Sequence, residues 1–66
     1  MVKVKYARQI SKTWVFEKWW INFRAREKQN VVDIMEKYGI GFDYPGSEYL
    51  KFSSSEDVTA FVLRYS

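Results

Sequence analysis

One short segment of the chain, Trp14 to Glu27, mixes aromatic and basic side chains and reads WVFEKWWINFRARE. It holds all three tryptophans of a 66-residue protein. Aromatic rings stack on unpaired bases while lysine and arginine contact phosphates, so this composition is typical of single-stranded nucleic-acid binding. Tryptophan and arginine are also enriched in protein–protein interfaces. The segment therefore indicates a binding surface and leaves the class of partner open.

Residues that would support catalysis are few. The chain has no histidine and no cysteine, which removes the commonest general base, the commonest zinc ligand and any thiolate nucleophile. Scattered carboxylates such as Asp33 and Glu36 are typical of a solvated helix face rather than of an acid–base pair or a magnesium site. We expect no enzymatic activity, no catalytic residue, no metal site and no cofactor.

The net charge of +3 is unevenly distributed along the chain. Residues 1–28 contain eight basic and two acidic side chains, whereas residues 29–66 contain three basic and six acidic ones. Such asymmetry predicts an acidic partner for the first half, or head-to-tail association between copies. The alternative is a solvated surface that is lopsided without functional consequence.

The length bounds the architecture to a single domain, residues 1–66, close to the size at which one core barely offsets chain entropy. Homo-oligomerisation is therefore a possibility to test. No apolar run approaches the roughly 20 residues that span a bilayer, and the first residues lack the apolar region of a signal peptide. We expect a soluble protein without a membrane partner. The absence of cysteine fits a cytoplasmic location.

The periodicity of the aromatic segment fits two secondary structures. In a helix, four residues would form one apolar stripe: Phe16, Trp19, Trp20 and Phe23. In a strand, the outward face would carry Lys18, Trp20, Asn22, Arg24 and Arg26. Because aromatic and β-branched residues favour strands, we interpret Trp14 to Arg26 as a strand, paired in a hairpin with Met1 to Gln9.

The later elements are marked by turn and cap residues. Spacing predicts an amphipathic helix from Glu27 to Tyr38, which Gly39 would end in the left-handed conformation. Residues 44–47, with proline then glycine at the centre, predict a type II turn that leads into a strand, Tyr49 to Ser53. Ser54 or Ser55 would cap a final helix whose apolar stripe is Val58, Phe61, Val62 and Tyr65.

These elements predict an α+β fold, a small two-layer domain of order β-β-α-β-α with an antiparallel-rich sheet and two helices on one face. The uncovered sheet face would then be basic and aromatic. The candidate nucleic-acid-binding residues on it are Lys3, Lys5, Lys18, Trp20, Arg24, Arg26, Tyr49 and Lys51. The candidate protein-binding residues are Trp14, Lys18, Trp20, Asn22, Arg24 and Arg26.

The segment FSSSEDVTAFVLRY, Phe52 to Tyr65, resembles the C-terminal signature of a group of small uncharacterised tailed-bacteriophage proteins. The matching positions are Phe52, Glu56, Asp57, Phe61, Leu63, Arg64 and Tyr65. The KYG at residues 37–39 is similar to a helix exit upstream in that group. The resemblance covers about a quarter of the chain and implies a phage origin and a strand-then-helix geometry, but no biochemistry. Where this chain has Tyr65, the group often has tryptophan.

Three functional hypotheses follow from these observations. The leading one is a phage-type accessory protein that binds a host protein in the host cytoplasm, as an inhibitor or modulator. The second is a single-stranded nucleic-acid-binding module that uses the basic and aromatic sheet face. The third is a virion or assembly component in which self-association buries the aromatic segment.

Overall fold

The structure is a computed structural model that describes residues 1–66. The elements are β1 (Val2–Lys5), β2 (Ala7–Ile10), β3 (Thr13–Phe16), α1 (Lys18–Glu27), a 3₁₀ turn (Lys28–Asn30), α2 (Val31–Lys37), β4 (Gly41–Phe42), β5 (Tyr49–Phe52) and α3 (Ser55–Arg64). The predicted α+β class is confirmed. The order of elements is β-β-β-α-α-β-β-α, with three α-helices instead of the two predicted. None of these helices has the length and apolar character needed to cross a membrane.

Two antiparallel sheets make up the β layer. Three strands pair in the order β1-β5-β4, and β2 and β3 form a separate hairpin. In the first sheet Val2 lies opposite Phe52 and Val4 lies opposite Leu50. Since side chains alternate along a strand, these four residues share one face. Leu50 and Phe52 are fully buried there.

The core is built mainly from aromatic rings where α1 and α3 meet this sheet face. The Phe23 ring of α1 lies 4.8 Å from that of Phe61 and 5.0 Å from that of Tyr65, both centroid to centroid. Phe61 in turn lies 5.5 Å from Phe52 of β5. Offset and edge-on aromatic pairs of this kind add about 0.5–1.5 kcal/mol each beyond the burial of their area. Phe61, which contacts both Phe23 and Phe52, therefore joins α1 to the sheet.

The prediction of a strand from Trp14 to Arg26 is wrong beyond Phe16. After β3 the chain enters α1, and both Trp19 and Trp20 are buried. Adjacent residues point to opposite faces of a strand but lie only about 100° apart on a helix, so only the helix buries both indoles. Ile21, which the strand would have turned inward, is 52% exposed.

The predicted strand Met1 to Gln9 is interrupted at Tyr6. Residues on either side of Tyr6 belong to different sheets: β1 pairs with β5, and β2 pairs with β3. The hairpin itself was expected, but its second strand ends at Phe16.

The elements marked by turn and cap residues agree with prediction. Gly39 and Gly46 have φ of +68° and +84°, and the Ser47 N–H donates to the Tyr44 carbonyl at 2.9 Å, which closes the turn. The Ser54 hydroxyl accepts from the Asp57 N–H and caps α3. The helix predicted from Glu27 to Tyr38 is shorter, because a 3₁₀ turn precedes α2.

The β2–β3 hairpin turns through two residues in an uncommon conformation. Ser11 and Lys12 have φ of +47° and +68°, and Ile10 lies opposite Thr13. Positive φ at both central residues is the type I′ geometry, which matches strand twist but favours Asn-Gly. A non-glycine residue held there costs of the order of 1 kcal/mol or more.

Replacing the turn with Ser11→Asn and Lys12→Gly is predicted to raise the free energy of unfolding by roughly 1 kcal/mol, because Asn-Gly adopts the type I′ turn with little strain. Urea denaturation followed by circular dichroism measures the change. Lys12→Ala is the control, since it keeps a β-carbon at positive φ and is expected to give no gain. A double variant no more stable than the parent would contradict the assignment of strain.

Candidate functional site

The largest group of exposed aromatic rings surrounds a cleft between the hairpin, α1 and β4. The aromatic cleft, of about 220 Å³, is lined by Tyr6, Trp14, Phe16, Trp20, Arg24, Phe42 and Gly46. Trp14, Phe16 and Phe42 form its walls and are 37%, 39% and 47% exposed. Tyr6 and Trp20 form its floor and are buried. Contiguous exposed apolar surface on a small protein is a common sign of an interaction site.

The rings of the aromatic cleft contact one another continuously. Tyr6 lies 4.9 Å from Trp20, 5.6 Å from Phe42 and 6.1 Å from Phe16 between ring centroids. Trp14 stacks on Phe16 at 6.2 Å with an interplanar angle of 15°. The floor is thus continuous with the core, while the walls stand on the hairpin and on β4.

Hydrogen bonds through Tyr6 and Glu48 hold the hairpin in place against the sheet. The Tyr6 hydroxyl donates to the carbonyl of the buried Ser47 at 3.0 Å, and the Tyr6 N–H donates to the Glu48 carbonyl at 3.0 Å. The Glu48 carboxylate accepts from the Gln9 N–H of β2 at 2.6 Å and lies 3.9 Å from the Lys5 ammonium. These contacts fix the position of the cleft walls relative to the floor.

Register places two aromatic residues of the hairpin on the cleft side. Ala7 lies opposite Phe16 and Gln9 lies opposite Trp14, so these four share one face of the hairpin. Ala7 is buried, which brings that face close to the rest of the chain. The rings of Trp14 and Phe16 consequently overhang the floor.

One basic side chain without a salt bridge, Arg24, lines the aromatic cleft. The two salt bridges of the protein are Lys3 with Asp43, at 3.2 Å, and Lys5 with Glu48, both on the first sheet. No basic side chain of the hairpin or of α1 takes part in a salt bridge. Arg24, which completes the cleft lining, is exposed. The electrostatic environment of the cleft therefore favours an anionic partner.

The structure separates the residues predicted to bind a protein. Trp14, Trp20 and Arg24 come together at the aromatic cleft, although Trp20 belongs to its buried floor and not to an open face. Lys18 is exposed at the start of α1 and does not line the cleft. The two remaining members of the set, Asn22 and Arg26, contact α3.

Asn22 and Arg26 hold the end of α3 through hydrogen bonds. The Asn22 amide donates to the Tyr65 carbonyl at 2.8 Å, and the Arg26 guanidinium donates to the Arg64 carbonyl at 2.9 Å. Both satisfy carbonyls that the last turn of a helix leaves without partners. Their observed contacts are structural.

The single basic and aromatic sheet face predicted for nucleic acid is not formed. Four of its residues, Lys3, Lys5, Tyr49 and Lys51, do share the outer face of β1 and β5. Lys18, Trp20, Arg24 and Arg26 lie on α1 instead. Asp43 and Glu48 also pair with two of the lysines, which lowers the positive charge of the sheet face.

The predicted binding residues do not include three aromatic residues that line the cleft, Tyr6, Phe16 and Phe42. Phe16 lies in the aromatic segment but in neither set of candidate binding residues, and Tyr6 falls within the single strand predicted from Met1 to Gln9. Phe42 lies between Gly41 and Asp43 and is the second residue of β4, a strand of two residues. So short a strand shows no periodicity from which it could be predicted. Only the pairing of β4 with β5 brings Phe42 to the cleft.

A smaller apolar depression of about 140 Å³ lies between α2 and α3, with Ile34, Ile40 and Phe61 among its lining residues. No three acidic side chains lie close enough together to hold a metal ion.

Comparison with known proteins adds no assignment, since no family model, curated protein or solved structure matches the chain.

Tyr65 closes the contact between α1 and α3. Its hydroxyl donates to the Glu27 carboxylate at 2.7 Å. Burial, and then the hydrogen bond and charge of Glu27, raise the pKa of Tyr65 above its ordinary value of 10.0; burial alone raises the pKa of Tyr6. The folded state therefore holds these phenolic protons more tightly than the unfolded state. Their contribution to stability is complete below pH 10.0 and is lost as the pH rises through the folded pKa.

Tyr65→Phe is predicted to lower the free energy of unfolding at neutral pH by roughly 1 kcal/mol, through loss of the hydrogen bond to Glu27. It should also reduce the loss of stability between about pH 9 and pH 11, because one shifted phenol is removed. Urea denaturation across this range measures both effects. Tyr44→Phe, at a 60% exposed position, is the control and should keep the parental slope. Equal slopes for Tyr65→Phe and the parent would contradict the linkage.

Proposed function

We propose that this chain is a non-enzymatic binding protein that docks onto another protein through the aromatic cleft. The proposal rests on one observation: the exposed walls of the cleft and its buried floor are both made of aromatic rings. Three rings remain at the surface although the core beneath them is complete. Their exposure is unfavourable in the free protein and is relieved when a partner covers them.

The composition of the aromatic cleft matches that of binding hot spots. Tryptophan, tyrosine and arginine dominate the residues whose truncation costs 2 kcal/mol or more in interfaces, and Trp14 and Arg24 both line the cleft. A hot spot needs a pocket from which water is excluded on binding, and the cleft is concave with an apolar floor. An apolar side chain of a partner would fill it.

The phage-like C-terminal segment supports a more specific proposal. An accessory protein of a phage acts on the proteins of the infected cell, so the partner would be a host protein in the host cytoplasm, inhibited or modulated by the docked chain. The residues that carry the resemblance lie in β5 and α3. None of them lines the aromatic cleft, so the segment that carries the resemblance is separate from the proposed binding surface.

The proposed function is tested by affinity capture from host lysate with matched variants. Trp14→Ala with Phe42→Ala removes two walls of the cleft and is predicted to weaken binding by about 30-fold or more, the consequence of losing about 2 kcal/mol. Quantitative mass spectrometry would show one partner, stoichiometric with the parent chain and lost with the variant. The control is Val32→Ala with Leu63→Ala, which truncates two more exposed apolar residues on α2 and α3.

Two results would oppose the proposal. One is recovery of the same partner by the parent and the cleft variant alike. The other is the absence of any stoichiometric protein together with tight binding to single-stranded RNA or DNA of about 20 nucleotides, whose affinity falls steeply with salt. That second result would assign the aromatic rings and the unpaired basic residues to nucleic acid.

A further inference from the structure

The outer edge of β3 presents backbone groups that no part of the chain pairs with. In a two-residue hairpin Ile10 and Thr13 form the first hydrogen-bonded pair, and hydrogen-bonded and non-hydrogen-bonded pairs then alternate. Trp14 and Phe16 occupy non-hydrogen-bonded positions, so their N–H and C=O groups point away from β2. None of the backbone hydrogen bonds in turns, loops and caps involves either residue.

The residue opposite Trp14 confirms this alternation. Gln9 also occupies a non-hydrogen-bonded position, and its N–H points out of the hairpin on the other side, where it donates to the Glu48 carboxylate. The outer edge of β2 is therefore partly covered by Glu48. The equivalent groups of β3 have no such cover.

The other sheet edges are protected in ways that β3 is not. Exposed lysines on an edge strand discourage pairing with another chain, and β1 carries Lys3 and Lys5. At the opposite edge of that sheet, β4 has only two residues. By contrast, β3 presents Trp14, Val15 and Phe16, all exposed and all apolar. Among the four-residue strands with an unpaired edge, β3 alone carries no basic side chain.

We propose that β3 accepts an extended, acidic segment of the partner protein as an additional strand. This inference rests on the proposed function, because it uses the aromatic cleft as the site that receives the partner's side chains. Side chains directly opposite each other on neighbouring strands lie about 4.5–5.5 Å apart between β-carbons. Alternate apolar residues of the added strand would therefore pack beside Trp14 and Phe16.

The acidic character of the segment follows from the charge around β3. Residues 7–28 carry six basic side chains and two acidic ones. Neither salt bridge of the protein involves any of these eight residues, and Glu27 already accepts a hydrogen bond from Tyr65. The outward side chains of an added strand would lie on the face of the hairpin that carries the exposed Arg8, which is opposite Val15, so carboxylates on that side would be attracted to it.

Charge and backbone chemistry argue against the other occupants of this edge. Pairing of β3 with β3 of a second copy would bring no acidic side chain to this edge, because all four residues of β3 are uncharged, and Arg8 and Lys12 would stay without a salt-bridge partner. A nucleic-acid strand has no series of N–H and C=O groups to match the spacing of a β-strand edge. An acidic peptide segment satisfies both the charge and the backbone.

The test uses the full chain, labelled with ¹⁵N, and synthetic heptapeptides in which glutamate alternates with one apolar residue: leucine, isoleucine, valine, phenylalanine, tyrosine or tryptophan. The peptide that binds best is also made in two N-methylated forms, one with methyl groups on its odd-numbered residues and the other on its even-numbered residues. Because only one of these sets of N–H groups can face β3, the two forms separate backbone pairing from side-chain contact. A peptide with lysine in place of glutamate tests charge. Chemical-shift titration gives affinities, and amide exchange reports on the Trp14 and Phe16 N–H groups.

The proposal expects one N-methylated phase to bind about tenfold or more weakly while the other binds as the parent peptide does, because only one set of N–H groups faces β3. The Trp14 and Phe16 amides should gain protection, and the lysine peptide should bind at least about tenfold more weakly. Equal binding by both N-methylated phases would overturn strand addition, and equal binding of the lysine peptide would overturn the acidic preference.

The remaining outcomes separate this inference from the function on which it rests. If both N-methylated phases bind equally but Trp14→Ala with Phe42→Ala abolishes binding, the cleft is a docking site and the strand edge is not. If the cleft variant binds the peptides as the parent does, the aromatic cleft is not the binding site and the proposed function is wrong. Failure of all six glutamate peptides at millimolar concentration, or protection of the Trp14 amide by dimerisation without peptide, would overturn the proposal.

Discussion

The packing of Phe23 is the contact on which the rest of the structure depends. A chain of 66 residues has room for one small core, and Phe23, without exposed surface, lies at its centre between α1 and α3. Its ring also lies 5.6 Å from that of Trp20, which carries the packing from the core to the floor of the aromatic cleft. Loss of this side chain would therefore affect the helices and the binding surface together.

The parts of the fold that could be predicted are those set by local backbone chemistry. Pro45-Gly46, Gly39 and the Ser54 cap each mark a boundary through a conformation or hydrogen bond that few residue types supply. Residues 18–26 could not be assigned in this way, because the aromatic positions fit the periodicity of a helix and that of a strand. Tertiary packing distinguishes the two: Trp19 and Trp20 are both buried in one core, and adjacent residues can face the same core in a helix but not in a strand.

The sequence predicts which types of residue form the candidate site, but not which individual residues line it. The concentration of tryptophan and arginine draws attention to Trp14 and Arg24, which line the aromatic cleft, whereas Asn22 and Arg26 satisfy the end of α3. Phe42 had no local signal, since its place depends on long-range pairing with β5. The structure shows which part of the charge asymmetry is paired: Asp43 and Glu48 form salt bridges with the two lysines of β1. No basic side chain of the hairpin or of α1 has a salt bridge.

The shared use of Trp20 by the core and by the cleft has an evolutionary consequence. Under the proposed function, a substitution in the floor would change both stability and binding, so selection for a new partner could not act on Trp20 or Tyr6 without risk to folding. The walls are different, because Trp14, Phe16 and Phe42 stand on the surface and their loss leaves the core intact. Adaptation to a changing partner would therefore proceed at these three positions, while the floor remains fixed by the requirement that the chain fold.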